Sequence, residues 1–196
     1  MPLRTSQTTD AVAPVPDDVL MRRLAQGDAA ALRPLMERYG GKVLNMAYRI
    51  VGDRGAAEDL TQETFLRVLD QAARFRRSGG SAQPWILTIG RNLALKHLRR
   101  RALEARARPV PERASVDPSR ELEQHELGER IQGALDGIDE PFRSALVLCA
   151  FEQLSYQEAA AIQSVSVKTL SSRLARARAR FRDLLAPYLG GGRAEL

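Results

Sequence analysis

From Asp17 onward apolar side chains recur at helical spacing almost everywhere, and no run alternates with a period of two long enough to build a sheet. The pattern predicts an all-α protein. Its clearest passage lies near the C-terminus. Ser155-Tyr-Gln-Glu158 has the form of a capping box, in which the Ser hydroxyl accepts from the Glu158 N–H and the Glu158 carboxylate reaches back to the Ser155 N–H. A helix starting there stops near Gln163-Ser164-Val165, and Ser166 offers a second N-cap. In the helix that follows, Leu170, Leu174, Ala177, Phe181 and Leu184 are spaced by four, three, four and three, which makes one buried stripe. The opposite side receives Lys168, Thr169, Ser172, Arg173, Arg176 and Arg180, interleaved with Ala175 and Ala179, which are small enough to let the helix approach a groove closely. Arg, Ser and Thr at the N-terminal end of such a helix suit base edges and phosphates in a major groove, and the pair reads as a helix-turn-helix.

A second amphipathic helix is predicted over 56–73. Leu60, Thr64, Phe65, Val68, Leu69 and Ala72 form its core side. The other side gathers Asp59, Gln62, Glu63, Leu66 and Asp70, an acidic face with a leucine at its centre. That face repels DNA and suits a basic protein surface with an apolar pocket. After the Ser78-Gly-Gly-Ser81 loop, Pro84 stands where a helix begins, and the stretch through Arg101 continues it. Ile86, Ile89 and Leu93 share one side, while Thr88, Asn92, Lys96 and Arg99 form a polar strip; Trp85 reads as core. A glycine loop, a short polar strip and a basic end at Arg99–Arg101 are suited to a single DNA strand with its bases turned outward.

Breaks fall at Gly27-Asp28, at 52–55, at 78–81 and most strongly over 108–118, where three prolines occur without apolar periodicity. Residues 107–119 are therefore read as a flexible linker between helical domains at 17–106 and 120–188, with tails at 1–16 and 189–196.

Charge sharpens this division. Over all 196 residues the formal net charge is +6, yet 91–108 and 168–183 each hold five or more uncompensated Lys and Arg side chains, so the rest of the chain is net negative. One basic segment falls in each domain, as two separate contacts with a polyanion require. The chain carries one cysteine, Cys149, within an apolar run, and two histidines far apart in sequence, so no disulfide and no structural zinc set is expected. No glycine-rich phosphate loop, paired histidines or cysteine with a base is present, which leaves no catalytic residue, metal or cofactor to assign. No signal-peptide core and no membrane-length apolar run is found, and a cytoplasmic location is expected.

These segments together resemble a bacterial sigma factor of the extracytoplasmic-function (ECF) class, the compact branch of the sigma-70 family. The carriers are 58–66 (EDLTQETFL), Trp85 with 90–94 (GRNLA) and the Arg99–Arg101 end, then 154–158 (LSYQE) and 172–178 (SRLARAR), in that order over about 17–185. The resemblance implies a non-enzymatic two-domain adaptor that binds core RNA polymerase and directs it to promoters. It assigns Asp59, Gln62, Glu63, Leu66 and Asp70 to the β′ clamp, with a further contact to the β flap. Arg77, Ser78, Arg91, Asn92, Lys96, Arg99 and Arg100 fall to recognition and melting of the minus-10 element. Lys168, Thr169, Ser172, Arg173, Arg176 and Arg180 fall to the minus-35 element. It further implies an anti-sigma factor as partner. The chain departs from the family's pattern at Ser164, where Gly is frequent, and at Ala82, Pro84, Ala159 and Ser171. The alternative left by the residues alone is an autonomous helix-turn-helix regulator that binds a palindrome without polymerase.

Overall fold

The computed structural model describes residues 15–75, 81–107 and 122–189, and every regular element among them is helical. Arg77, Ser78 and most of the expected linker and tails lie outside the described residues. Helix α1 (Asp17–Ala25) places Asp17 and Asp18 in its first turn and Arg22 and Arg23 in its last, each matched to the helix dipole. Asp28 accepts from the Ala30 N–H at 3.1 Å and caps a short 3-10 turn that leads into α2 (Leu32–Val51). Gly52 ends α2 at φ 69°, a left-handed conformation that glycine adopts without a Cβ penalty. Asp53 then accepts from the Ala56 N–H at 2.9 Å, so α3 (Arg54–Gln71) starts two residues before the apolar pattern alone would place it. Its continuation through Ala72–Arg74 tightens to 3-10. Helix α4 (Gln83–Ala107) carries Pro84 in its first turn, where a missing N–H leaves no bond unmade.

Helices α2, α3 and α4 pack against one another, with α1 across the end of α3. Met46, Ile50, Phe65, Val68, Ile86 and Leu87 are all but fully buried in this bundle. Gly90 marks the closest approach: a Cβ there would lie 3.0 Å from Met46 Cε and 3.3 Å from both Thr64 Oγ1 and Val43 Cγ1. Trp85 packs edge-on to Phe75 at 5.6 Å between ring centroids, the core role expected of it.

The second half consists of α5 (Leu122–Asp136), α6 (Phe142–Leu146) with a π turn over Val147–Phe151, α7 (Tyr156–Ile162) and α8 (Val167–Leu189). Leu135, Leu148, Leu170, Leu174 and Ala177 fill its centre; of the anticipated stripe of α8, Leu170, Leu174 and Ala177 are buried, and Phe181 and Leu184 are half-buried against the core. Cys149 is half-buried in the π turn, and burial pushes its thiol pKa upward.

The two halves pack together, α4 against α7 and α2 against both α5 and the π turn. At the C-terminus of α2, where carbonyls lack helical partners, donors arrive from the second half. Arg143 Nη1 reaches the Ile50 carbonyl at 2.7 Å and Gln132 Nε2 the Arg49 carbonyl at 3.4 Å. The Arg49 guanidinium lies 3.9 Å over the Phe151 ring.

Candidate nucleic-acid interface

The helix-turn-helix is built as its caps dictate. Glu158 N–H donates to Ser155 Oγ at 3.2 Å and Ser155 N–H to Glu158 Oε2 at 2.9 Å, the reciprocal pair of a capping box. Across the turn, Val165 N–H reaches the Ala160 carbonyl at 3.0 Å, and Ser166 Oγ accepts from Thr169 N–H at 3.1 Å to launch α8. Ser164, within the turn, has φ 53°. Helix α8 then exposes Lys168, Thr169, Ser172, Arg176 and Arg180 on one side. Thr169 is exposed yet already engaged, its hydroxyl 2.9 Å from Ser166 Oγ. Arg173 is half-buried and donates to Gln163 Oε1 at 2.7 Å, which turns its head back toward α7.

On α4, Asn92, Lys96 and Arg99 of the expected strip are exposed, while Thr88 is half-buried with its hydroxyl donating to the Pro84 carbonyl at 2.7 Å; Arg100 is also exposed, 3.5 Å from Glu104. Arg91 is placed differently. It is 6% exposed at the seam between the halves, with Nη2 3.5 Å from Glu140 Oε2 and Nε without a partner. Burial pulls its pKa down, and the nearby Arg173 and Arg99 add to that, against the pull of Glu140. Helical periodicity puts Arg91 next to the polar strip; only the second half's approach reveals that it is covered.

The acidic face of α3 is solvent-facing as predicted. Asp59, Gln62 and Asp70 are exposed, and Leu66 retains 61% exposure at their centre. Glu63 is held by Arg67, with Nη2 at 2.8 Å and Nε at 3.1 Å from Oε1, an i,i+4 pair that offsets part of its charge. Asp59 and Glu63 also line one wall of a groove of about 310 Å³ whose other wall carries Lys96, His97 and Arg100 of α4. The acidic face and the basic strip are therefore neighbours sharing an edge.

Three features escaped the sequence. Asp17 is buried and gathers donors from Arg38, Tyr39, Ser81 and Ala82. Arg143 and Gln132 cap α2 from the other half. Glu152, 7% exposed beneath Lys42 and Arg49, has its pKa pushed up to about 7 by burial, which those two cations only partly counter. No local pattern signals any of them, because each depends on partners dozens of residues away. Among the described residues no group of His, Cys, Asp and Glu is arranged to hold a metal, and no helix is long and apolar enough to cross a membrane.

Comparison with known proteins places these features in a family context. Residues 35–104 match the model of sigma-70 region 2, and 128–181 that of sigma-70 region 4. The chain is 38% identical over 172 residues to the ECF RNA polymerase sigma factor SigE of Mycolicibacterium smegmatis, covering 84% of this chain and 66% of that relative. It is 30% identical over 191 residues to the RNA polymerase sigma-H factor of Pseudomonas aeruginosa, covering 88% of this chain and 95% of the relative. Among solved structures, CnrH in complex with the cytosolic domain of CnrY superposes with a TM-score of 0.69 at 26% identity, over 87% of this chain and 97% of that one. The sigma factor RpoE of Bartonella quintana, in complex with the anti-sigma factor NepR, gives a TM-score of 0.68 at 25% identity, over 79% and 96%.

Proposed function

The chain belongs to the ECF class of the sigma-70 family, and on that premise we propose how its surfaces divide the work of binding core RNA polymerase and directing promoter-specific initiation. Residues 17–106 act as the polymerase-docking and minus-10 domain, 120–188 as the minus-35 domain, and 107–119 as the linker between them. The acidic face of α3, Asp59, Gln62, Glu63, Leu66 and Asp70, docks on the β′ clamp, where carboxylates steer toward basic groups and the leucine enters an apolar pocket. Asn92, Lys96, Arg99 and Arg100 line the path of the opened strand, together with Arg77 and Ser78. Lys168, Thr169, Ser172, Arg173, Arg176 and Arg180 face the minus-35 major groove, and the second domain also meets the β flap. The protein acts in the cytoplasm, catalyses no reaction itself and leaves chemistry to the polymerase.

The observation that carries this reading is the pairing of opposite surfaces on one chain: an acidic face with Leu66 61% exposed, and an Arg-rich recognition helix emerging from a double-capped turn. An autonomous regulator has no use for the first. Arg91, packed on Glu140, becomes available to DNA when the halves part. An anti-sigma factor that holds them together therefore keeps Arg91 from DNA, and an anti-sigma partner is supported by the Bartonella relative, which is seen in complex with the anti-sigma factor NepR. Run-off transcription with core polymerase on a genomic template library, followed by start-site mapping, tests the function. Discrete start sites absent from core polymerase alone are expected. Tight duplex binding by the protein alone without such initiation would favour the autonomous regulator.

A further inference from the structure

Asp17 is 8% exposed at the start of α1, on the side where Leu20, Met21 and Leu24 are buried. An apolar residue would satisfy that packing, and an ion there carries a desolvation cost. Its carboxylate instead collects donors from two distant parts of the chain. Arg38 and Tyr39 approach from α2; the Ala82 N–H at 2.7 Å and Ser81 Oγ at 3.3 Å approach from the head of α4. The cluster is cross-linked. Tyr39 Oη meets Ser81 Oγ at 2.9 Å, Ser81 Oγ accepts from the Gln83 N–H at 3.1 Å, and Lys42 Nζ donates to Gln83 Oε1 at 2.7 Å. Residues 81–83 are thus fixed by directional bonds, several of which converge on one carboxylate. Burial raises the Asp17 pKa, but the Tyr39, Ala82 and Arg38 bonds outweigh it, so the group stays ionised.

We propose that Asp17 is a positioning residue for promoter opening: it anchors residues 81–83 so that the strand-binding side chains of α4 begin at a fixed place relative to α2. Hydrogen bonds set position and angle in a way that apolar contact does not. The proposal rests on the reading of α4 as the minus-10 surface, and the network's reach over 65 residues of sequence is what makes Asp17 more than a local cap.

Asp17→Asn keeps the shape but presents an amide donor to groups that are themselves donors, which leaves buried bonds unmade. Holoenzyme assembled from the full chain is assayed for core affinity and for binding of a fluorescent single-stranded oligonucleotide carrying the non-template sequence of its mapped promoter. Val68→Ala, buried in the same bundle away from the network, serves as the control for lost stability. Asp17→Asn is expected to keep core affinity while strand affinity falls about tenfold or more, since a charge-assisted bond is worth more than 1.4 kcal/mol. Val68→Ala lowers both in parallel or neither. Wild-type strand binding by Asp17→Asn, or a parallel loss like that of the control, overturns the proposal. Should Asp17→Asn fail to fold, Ser81→Ala removes a single partner and is expected to show the same selective loss, about threefold; unchanged strand binding by it overturns the proposal. If wild-type holoenzyme itself does not bind the strand, the minus-10 reading falls and the proposal with it.

Discussion

Ser164 holds the turn of the helix-turn-helix at φ 53°, in the left-handed region that L-residues with a Cβ occupy at a cost. Glycine removes that penalty and returns part of the gain as extra freedom of the unfolded chain. Ser164→Gly is therefore expected to stabilise the protein by about 0.5–1 kcal/mol in urea denaturation. Glu152 gives a second residue-scale prediction. Its folded pKa of about 7 exceeds the ordinary 4.5, so between those values the folded state binds more protons than the unfolded state, and stability falls as pH rises through that window. Glu152→Gln is neutral throughout, so it is expected to match wild type near pH 4.5 and to be the more stable protein at pH 8. Equal pH profiles for the two would show that Glu152 titrates normally. Neither residue can be read this way from sequence. Ser164 stands out as an unusual turn residue, but its φ depends on how the two helices meet, and Glu152 follows the π turn with nothing to indicate burial under Lys42 and Arg49.

Elements whose signals are local are legible in the sequence; elements defined by partners are not. The capping box at Ser155, the cap at Ser166 and the stripe through Leu170, Leu174 and Ala177 are all short-range, and they suffice to define the recognition helix and its exposed face. The acidic face of α3 is legible for the same reason, and the Arg67 clasp on Glu63 is an i,i+4 pair of equally short range. Helix α2 is the opposite case. Its Ile50 carbonyl is satisfied by Arg143, which also donates to the Ile138 carbonyl at 3.0 Å and the Asp136 carbonyl at 3.0 Å. This single guanidinium closes the α5–α6 connection and ties it to the first half. Arg143→Ala is expected to cost about 2–3 kcal/mol by denaturation, as befits lost bonds to a charged donor. It is also expected to lengthen the mean distance between dyes placed on α3 and α8. An unchanged distance would show that this cap does not hold the halves together.

At the scale of the whole molecule, charge is partitioned so that one protein faces two kinds of partner. The acidic α3 face and the basic α4 strip share a groove edge, and the second basic surface lies on α8, beyond the seam where Arg91 meets Glu140. The packing of the two halves covers Arg91, while Arg173 is turned inward within the second half by its bond to Gln163. Sequence periodicity assigns Arg91 to the open surface because it describes each helix apart from its neighbours. The central claim is that α3 holds the polymerase while the basic surfaces hold the promoter, and charge reversal on α3 tests it most directly. In a fluorescence competition assay with core RNA polymerase, the double variant Asp59→Lys, Glu63→Lys is expected to bind at least about tenfold more weakly than wild type, with its helical content unchanged. Undiminished affinity of that variant for core polymerase would contradict the account.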